Sequence, residues 1–278
     1  MDISVDISDT RCDIPDTLTV MSCLSIALVM LPLATSAQLV YGQAGAPSPT
    51  ANVQDAVSNL VKMHEAWGPN ASSPNTRLTV KESARSGQVI KFRLYAEGLP
   101  KDGIFTMVSW PVTQKGPSKS LAGVTLDESS LAICAGKPGT CGTADKPNDP
   151  IDLTVQPVPG EPLRVGLISE DGATKVFAKV VPIPIRGEDR GCGVEGVLLT
   201  PGAELVLIEG SGFPANAELL MDSDSEGERH SEKKKADADG HYASAMLPYK
   251  KGLTRGTLRV TLKSEGCSPS IKVPWGRR

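Results

Sequence analysis

Ile90-Lys-Phe-Arg-Leu-Tyr-Ala96 decides how this chain folds. Ile90, Phe92, Leu94 and Ala96 fall on one face of an extended segment, and Lys91, Arg93 and Tyr95 fall on the other, as a half-buried β-strand requires. Outward from it the same period of two recurs in short pieces. Strands are predicted over 77–82, 104–110, 120–126, 129–134, 151–156, 162–169 and 174–181. Asp102-Gly103 and Asp171-Gly172 are turn dipeptides, and Glu170-Asp-Gly-Ala173 between two such runs predicts a hairpin. Short strands punctuated by Gly, Pro and Asp describe a sandwich. Val181-Pro-Ile-Pro-Ile185 lacks the backbone donors of a central strand, so it reads as an edge or an extended connector, with a domain boundary near Arg186.

Beyond that boundary, strands are predicted over 194–199, 203–209, 217–222, 230–236, 241–247, 257–263 and 270–274, an immunoglobulin-like number for so short a stretch. The fold class is therefore mainly β: two immunoglobulin-like sandwiches, 76–185 and 186–278. Pro201-Gly-Ala-Glu-Leu-Val-Leu-Ile-Glu-Gly-Ser-Gly-Phe-Pro214 resembles the opening of bacterial surface immunoglobulin-like modules of the TIG type. Ala236-Asp-Ala-Asp-Gly-His-Tyr242 is similar to the Asp-x-Asp-Gly-x-Tyr hairpin of exported β-sandwich repeats. The resemblance covers about a third of the chain. It implies an extracytoplasmic sandwich used for display, spacing or binding, and it brings no catalytic residues with it.

Upstream of the first sandwich the pattern differs. Leu24-Ser-Ile-Ala-Leu-Val-Met-Leu31, Pro32 and the small residues Thr35-Ser36-Ala37 read as an export signal over 1–37, cleaved to leave Gln38, with a second candidate site after Ala44. Asp2, Asp6, Asp9, Asp13 and Asp16 precede the apolar run where positive charge is usual, so a true start at Met21 is the simplest account. An uncleaved anchor is the alternative, and only in that form would the chain meet a membrane. Residues 38–75 read as a flexible tether interrupted by one amphipathic helix over 52–66. Asn52 is its N-cap, Val53, Ala56, Val57, Leu60 and Val61 form its apolar stripe, His64 and Trp67 extend that face, and Gly68-Pro69 is its stop. The stripe is expected to pack on the first sandwich, with His64 as a packing residue rather than a ligand.

Export places the mature protein in a secreted, periplasmic or cell-surface compartment. Cys12 and Cys23 belong to the leader, which leaves Cys134, Cys141, Cys192 and Cys267 as candidate disulfide partners in three connectivities. Cys134 and Cys141 are close neighbours within one domain, and Cys192 and Cys267 bracket the other, so domain logic favours those two pairs.

Composition narrows the function. The 278 residues carry 29 Lys and Arg against 32 Asp and Glu, a net charge of −3, so no basic field exists to gather nucleic acid. Three His and no zinc-type Cys/His spacing leave little equipment for metal-assisted or His-based catalysis. Trp67, Trp110 and Trp275 are too scattered for a sugar-stacking platform. Asp222, Asp224 and Glu226 followed by Gly227 partly match a calcium loop, but Lys233 stands where the bidentate Glu belongs. A charged hairpin turning at Ser225-Glu226-Gly227 is the plainer account, and a weak calcium site over Asp222, Asp224, Asp237 and Asp239 the alternative. No cofactor other than that calcium is expected. Lys233-Lys-Lys235 and the Ser231-x-x-Lys234 match read as a solvated strand. The chain is thus expected to be a non-enzymatic binding, adhesion or envelope-structural module, with a protein or envelope polymer as partner. An enzyme with an interdomain carboxylate site, drawn from Glu161, Asp171, Glu188 and Asp189, is the competing possibility.

Overall fold

The computed structural model describes residues 49–114, 116–135, 141 and 148–276. The leader, its cleavage site at Ala37, Cys12 and Cys23 lie outside them, as does the tether up to residue 48. Helix α1 (Pro49–Glu65) begins three residues before the expected Asn52 cap, with proline in the first turn, where its missing N–H costs nothing. Strands β1 (Arg77–Ser86), β2 (Val89–Glu97), β3 (Phe105–Ser109), β4 (Ser118–Leu126), β5 (Ala132–Cys134), β6 (Leu153–Val155), β7 (Leu163–Ser169) and β8 (Lys175–Val180) follow. They form two antiparallel sheets, ordered β1-β2-β6 and β5-β4-β3-β7-β8. In β2 the stretch Ile90–Ala96 behaves as its alternation requires: Ile90, Phe92, Leu94 and Ala96 are buried, and Lys91 is exposed. Leu94 packs with Phe105, Val124, Val165, Leu167 and Val176 in one core drawn from both sheets.

The second half contains β9 (Ile185–Asp189), β10 (Cys192–Leu198), β11 (Val206–Ser211), β12 (Glu218–Ser225), β13 (Glu228–Lys235), β14 (Tyr242–Met246), β15 (Arg255–Lys263) and β16 (Ser270–Gly276). Its sheets run β14-β11-β10-β9 and β13-β12-β15-β16 and enclose a second core around Leu198, Val206, Ile208, Leu258, Val260 and Val273. Strand β9 is the edge of its sheet and begins at Ile185, the last residue of the stretch expected to be an edge or an extended connector. Ile185–Asp189 pairs antiparallel with β10 through a tight turn at Arg190-Gly191, whose φ values are 47° and 86°. A five-residue edge strand with a single apolar residue offers no alternation to detect.

The charged hairpin forms as expected. Glu226 and Gly227 sit at φ 50° and 84°, the left-handed pair a two-residue hairpin turn demands, and β13 is a sheet edge whose charges oppose pairing with another chain. The two motifs that resemble exported modules also meet. Gly240, at φ 75°, passes so close to Phe213 that a Cβ there would lie 2.0 Å from the Phe213 carbonyl oxygen, and the Phe213 N–H donates to the Gly240 carbonyl at 3.3 Å. Two disulfides, Cys134–Cys141 and Cys192–Cys267, follow the pairing domain logic favours, with Cα separations of 5.1 and 6.2 Å.

Helix α1 departs from expectation in where it lies. Val57, Leu60 and Val61 pack against Val197, Leu199, Leu205 and Leu207, on the outer face of the second sandwich, together with Val181 and Ala245. Only its last turn and the residues after it reach the first sandwich, where Met63 and Trp67 meet Val108, Trp110 and Phe177. Ala56 is exposed. The helix is therefore a clasp laid across both sandwiches. The reason lies in the runs Val197-Leu198-Leu199 and Leu205-Val-Leu-Ile208, which are apolar on both faces and so need a cover on the outer one. Trp67, with ring centroids 6.2 Å from Trp110 and 5.1 Å from Phe177, anchors the far end. Trp67→Ala is expected to weaken the docking of α1 by about 3 kcal/mol. Hydrogen exchange should then show faster exchange across residues 55–66 with both cores still protected.

Candidate functional site

The outer face of the β14-β11-β10-β9 sheet is divided. On β10 and β11, Val194, Leu198, Val206 and Ile208 point into the core, so Gly193, Glu195, Val197, Leu207, Glu209 and Ser211 point outward. The apolar part, Val197 and Leu207 with Leu199, Leu205 and Ala245, lies under α1. The polar part stays open and forms a groove of about 910 Å³, lined among others by Arg186, Glu188, Glu195, Glu209, Lys235 and His241. Glu195 and Glu209 are directly opposite across the β10–β11 ladder, an arrangement that like charges disfavour. Arg186 relieves one of them, with its Nη2 3.2 Å from Glu195 Oε2. Burial pushes the Glu209 carboxyl above the usual range, and Glu195 and Glu65 add to this.

Where α1 meets the two sandwiches, the apolar contact gives way to a second polar cluster. His64 is 0% exposed and Arg164, from β7, 2%. Arg164 donates to His64 Nδ1 from Nη2 at 2.7 Å and from Nε at 3.2 Å, lays its guanidinium 4.5 Å from the Trp110 ring centroid, and reaches the Trp110 carbonyl at 3.4 Å. Lys179 Nζ, from β8, stands 2.7 Å from His64 Nε2. Burial, with the neighbouring Arg164 guanidinium adding to it, pushes the His64 pKa down to about 3, so the ring is neutral at physiological pH. Burial likewise lowers Arg164 to about 10. The expectation that His64 is a packing residue holds, with a hydrogen-bonding duty the sequence did not disclose. Arg164 and Lys179 were not foreseen at all. Arg164 occupies an outward-facing strand position, just as the half-exposed Arg93 does, and nothing local marks it for burial.

The other candidates separate. Asp222 accepts from Ser231 Oγ at 2.6 Å and from Lys263 Nζ at 2.7 Å. Asp224 accepts from the Gly227 N–H at 2.8 Å and from Arg229 Nε at 2.9 Å. Asp237 accepts from the backbone N–H groups of Asp239 and His241, closing its own turn. These hydrogen bonds hold all three carboxyls below the usual range. The β12 pair lies toward the closed end of the β12–β13 hairpin and the 237–240 turn beside its open end, so the fold does not bring the four aspartates together. Among the described residues, no three His, Cys, Asp or Glu side chains converge on a possible metal position. The carboxylates of the enzyme alternative also stand in four settings. Glu188 lines the groove, Glu161 lines a separate cleft of about 260 Å³, Asp171 ties its own hairpin, and Asp189 accepts from the Ser268 N–H at 2.7 Å.

No family model matches the chain, and no curated protein does. Among solved structures it is similar to a tetra-tandem repeat in the extending region of a large adhesion protein, at 13% identity and a TM-score of 0.23 over 74% of this chain. The chain spans 50% of that structure's length.

Proposed function

We propose that this chain is an exported, non-catalytic binding module of the cell envelope, and that it holds an extended polypeptide segment along the open half of the β14-β11-β10-β9 face. The observation that carries this reading is the division of that face, with one half sealed by α1 and the other left as a polar groove. Strand β14 is the sheet edge that borders the groove through Tyr242 and Ala243, and strand edges recognise extended peptides by main-chain pairing. Cations at Arg186 and Lys235 stand with anions at Glu188, Glu195 and Glu209, a lining suited to the alternating polar groups of a peptide. Two disulfides fit an oxidising compartment. Contact between the Gly212-Phe213-Pro214 and Asp237–Gly240 motifs supports the immunoglobulin-like surface-module reading.

Phage selection of random peptides on the immobilised full chain tests the proposal. Enriched peptides should bind the wild-type chain and lose roughly tenfold or more in affinity to Ala243→Arg and to Ser211→Arg, since one lost anchoring interaction of about 1.4 kcal/mol has that effect. Binding to Ser83→Arg, on exposed β1, should be unchanged. Failure to enrich any peptide, or equal binding to all variants, would overturn it.

A further inference from the structure

The contacts of His64 constrain the protonation of its neighbours. Arg164 has five N–H donors and no acceptor, so His64 Nδ1 must present its lone pair to the guanidinium. A neutral imidazole with Nδ1 as acceptor carries its proton on Nε2, and at 2.7 Å that N–H faces Lys179 Nζ. An ammonium has no lone pair to receive it, whereas a free amine does. The hydrogen-bond pattern closes only with an uncharged Lys179.

We propose that Lys179 is a neutral, nucleophilic amine at physiological pH and the preferred lysine of this chain for imine formation with small uncharged aldehydes. The groups that face it are His64 and Glu65 of α1, Arg164 of β7, Glu195 of β10 and Glu209 of β11. The three carboxylates favour the ammonium. Burial of the amine end outweighs them, Arg164 adds to that opposition, and the amine is held below the usual lysine range. The residue as a whole remains exposed, so a small electrophile can approach along its stem. In the reaction the nitrogen lone pair attacks the carbonyl carbon, a C–N bond forms as the C=O π bond opens onto oxygen, and both N–H protons of the amine pass in turn to that oxygen. Loss of that oxygen as water then leaves a C=N bond. The imine nitrogen keeps a lone pair, which His64 Nε2–H holds in place of the amine's, so the adduct leaves His64 satisfied. A charged aldehyde with an acid group would meet Glu65, Glu195 and Glu209, which is why the proposal is confined to uncharged ones.

The test treats the full chain with a limiting amount of propanal and cyanoborohydride, which traps each imine as a secondary amine, between pH 6 and 9. Peptide mass mapping then gives a rate for each lysine. At pH 7 Lys179 should be labelled about tenfold or more faster than the exposed Lys91, Lys119 and Lys272, because each unit by which an amine's pKa falls raises its free-base fraction tenfold. Its rate should level off at a pH where theirs still climb. In His64→Phe, checked by circular dichroism, Lys179 should fall into line with the others. Labelling of wild-type Lys179 no faster than the exposed lysines, or rising in parallel with them, overturns the proposal, and so does a folded His64→Phe that keeps the fast rate. If that variant does not fold, the wild-type pH profile decides alone.

Discussion

Acidification from pH 6.5 toward 3 is expected to strip α1 from the two sandwiches before either core unfolds. His64 is neutral in the folded chain with a pKa of about 3, against 6.5 when the chain is unfolded. A base with a depressed folded pKa favours the folded state fully above its unfolded value, and that advantage drains as pH falls toward the folded one. Over this window the unfolded form binds the extra proton, so stability drops by up to about 1.4 kcal/mol per pH unit, about 4 to 5 kcal/mol at its limit. Glu209 runs the other way, because its raised carboxyl pKa gains stability as pH falls through it toward 4.5. The two are distinguishable by place. Hydrogen exchange of residues 55–66 should accelerate between pH 6.5 and 4 while β7 and β10 stay protected, and His64→Phe should abolish the acceleration. Unchanged protection of α1 down to pH 4 would mean that the imidazole has found another partner or a wet exit.

The second large effect concerns the disulfides. Replacing both Cys192 and Cys267 by alanine is expected to cost about 4 kcal/mol in urea unfolding, and replacing Cys134 and Cys141 about 2.5 kcal/mol, on the chain-entropy estimate for loops of such different length. The first bridge spans a separation of 75 residues and the second only 7. Cys134 and Cys141 belong to the first core and Cys192 and Cys267 to the second, so alanine leaves unfilled volume at both bridges and the difference between them reports loop length. Equal losses from the two double variants would show that loop closure is not what these bridges supply.

How far the sequence carries can be judged from particular residues. Local pattern was enough for alternating strands such as β2, for the Glu226-Gly227 turn, and for the pairing of Cys192 with Cys267 across their domain, because each is a property of neighbouring residues or of domain bracketing. The position of α1 was not legible in its own stripe, since an apolar face does not name its partner. The signal was elsewhere, in Leu205-Val-Leu-Ile208, where both strand faces are apolar. Arg164, Lys179 and His64 are separated by up to 115 residues and meet only because three elements converge. Glu195 and Glu209 become a pair only through the β10–β11 register.

The clasp also sets an order of events. Val57 precedes Leu207 by 150 residues, so the helix is made long before the surface it will cover exists. At about 5–20 residues per second, translation leaves roughly 8–30 s in which its apolar face has no seat. Docking of α1 therefore waits until β10 and β11 are in place, long after the helix itself has been made.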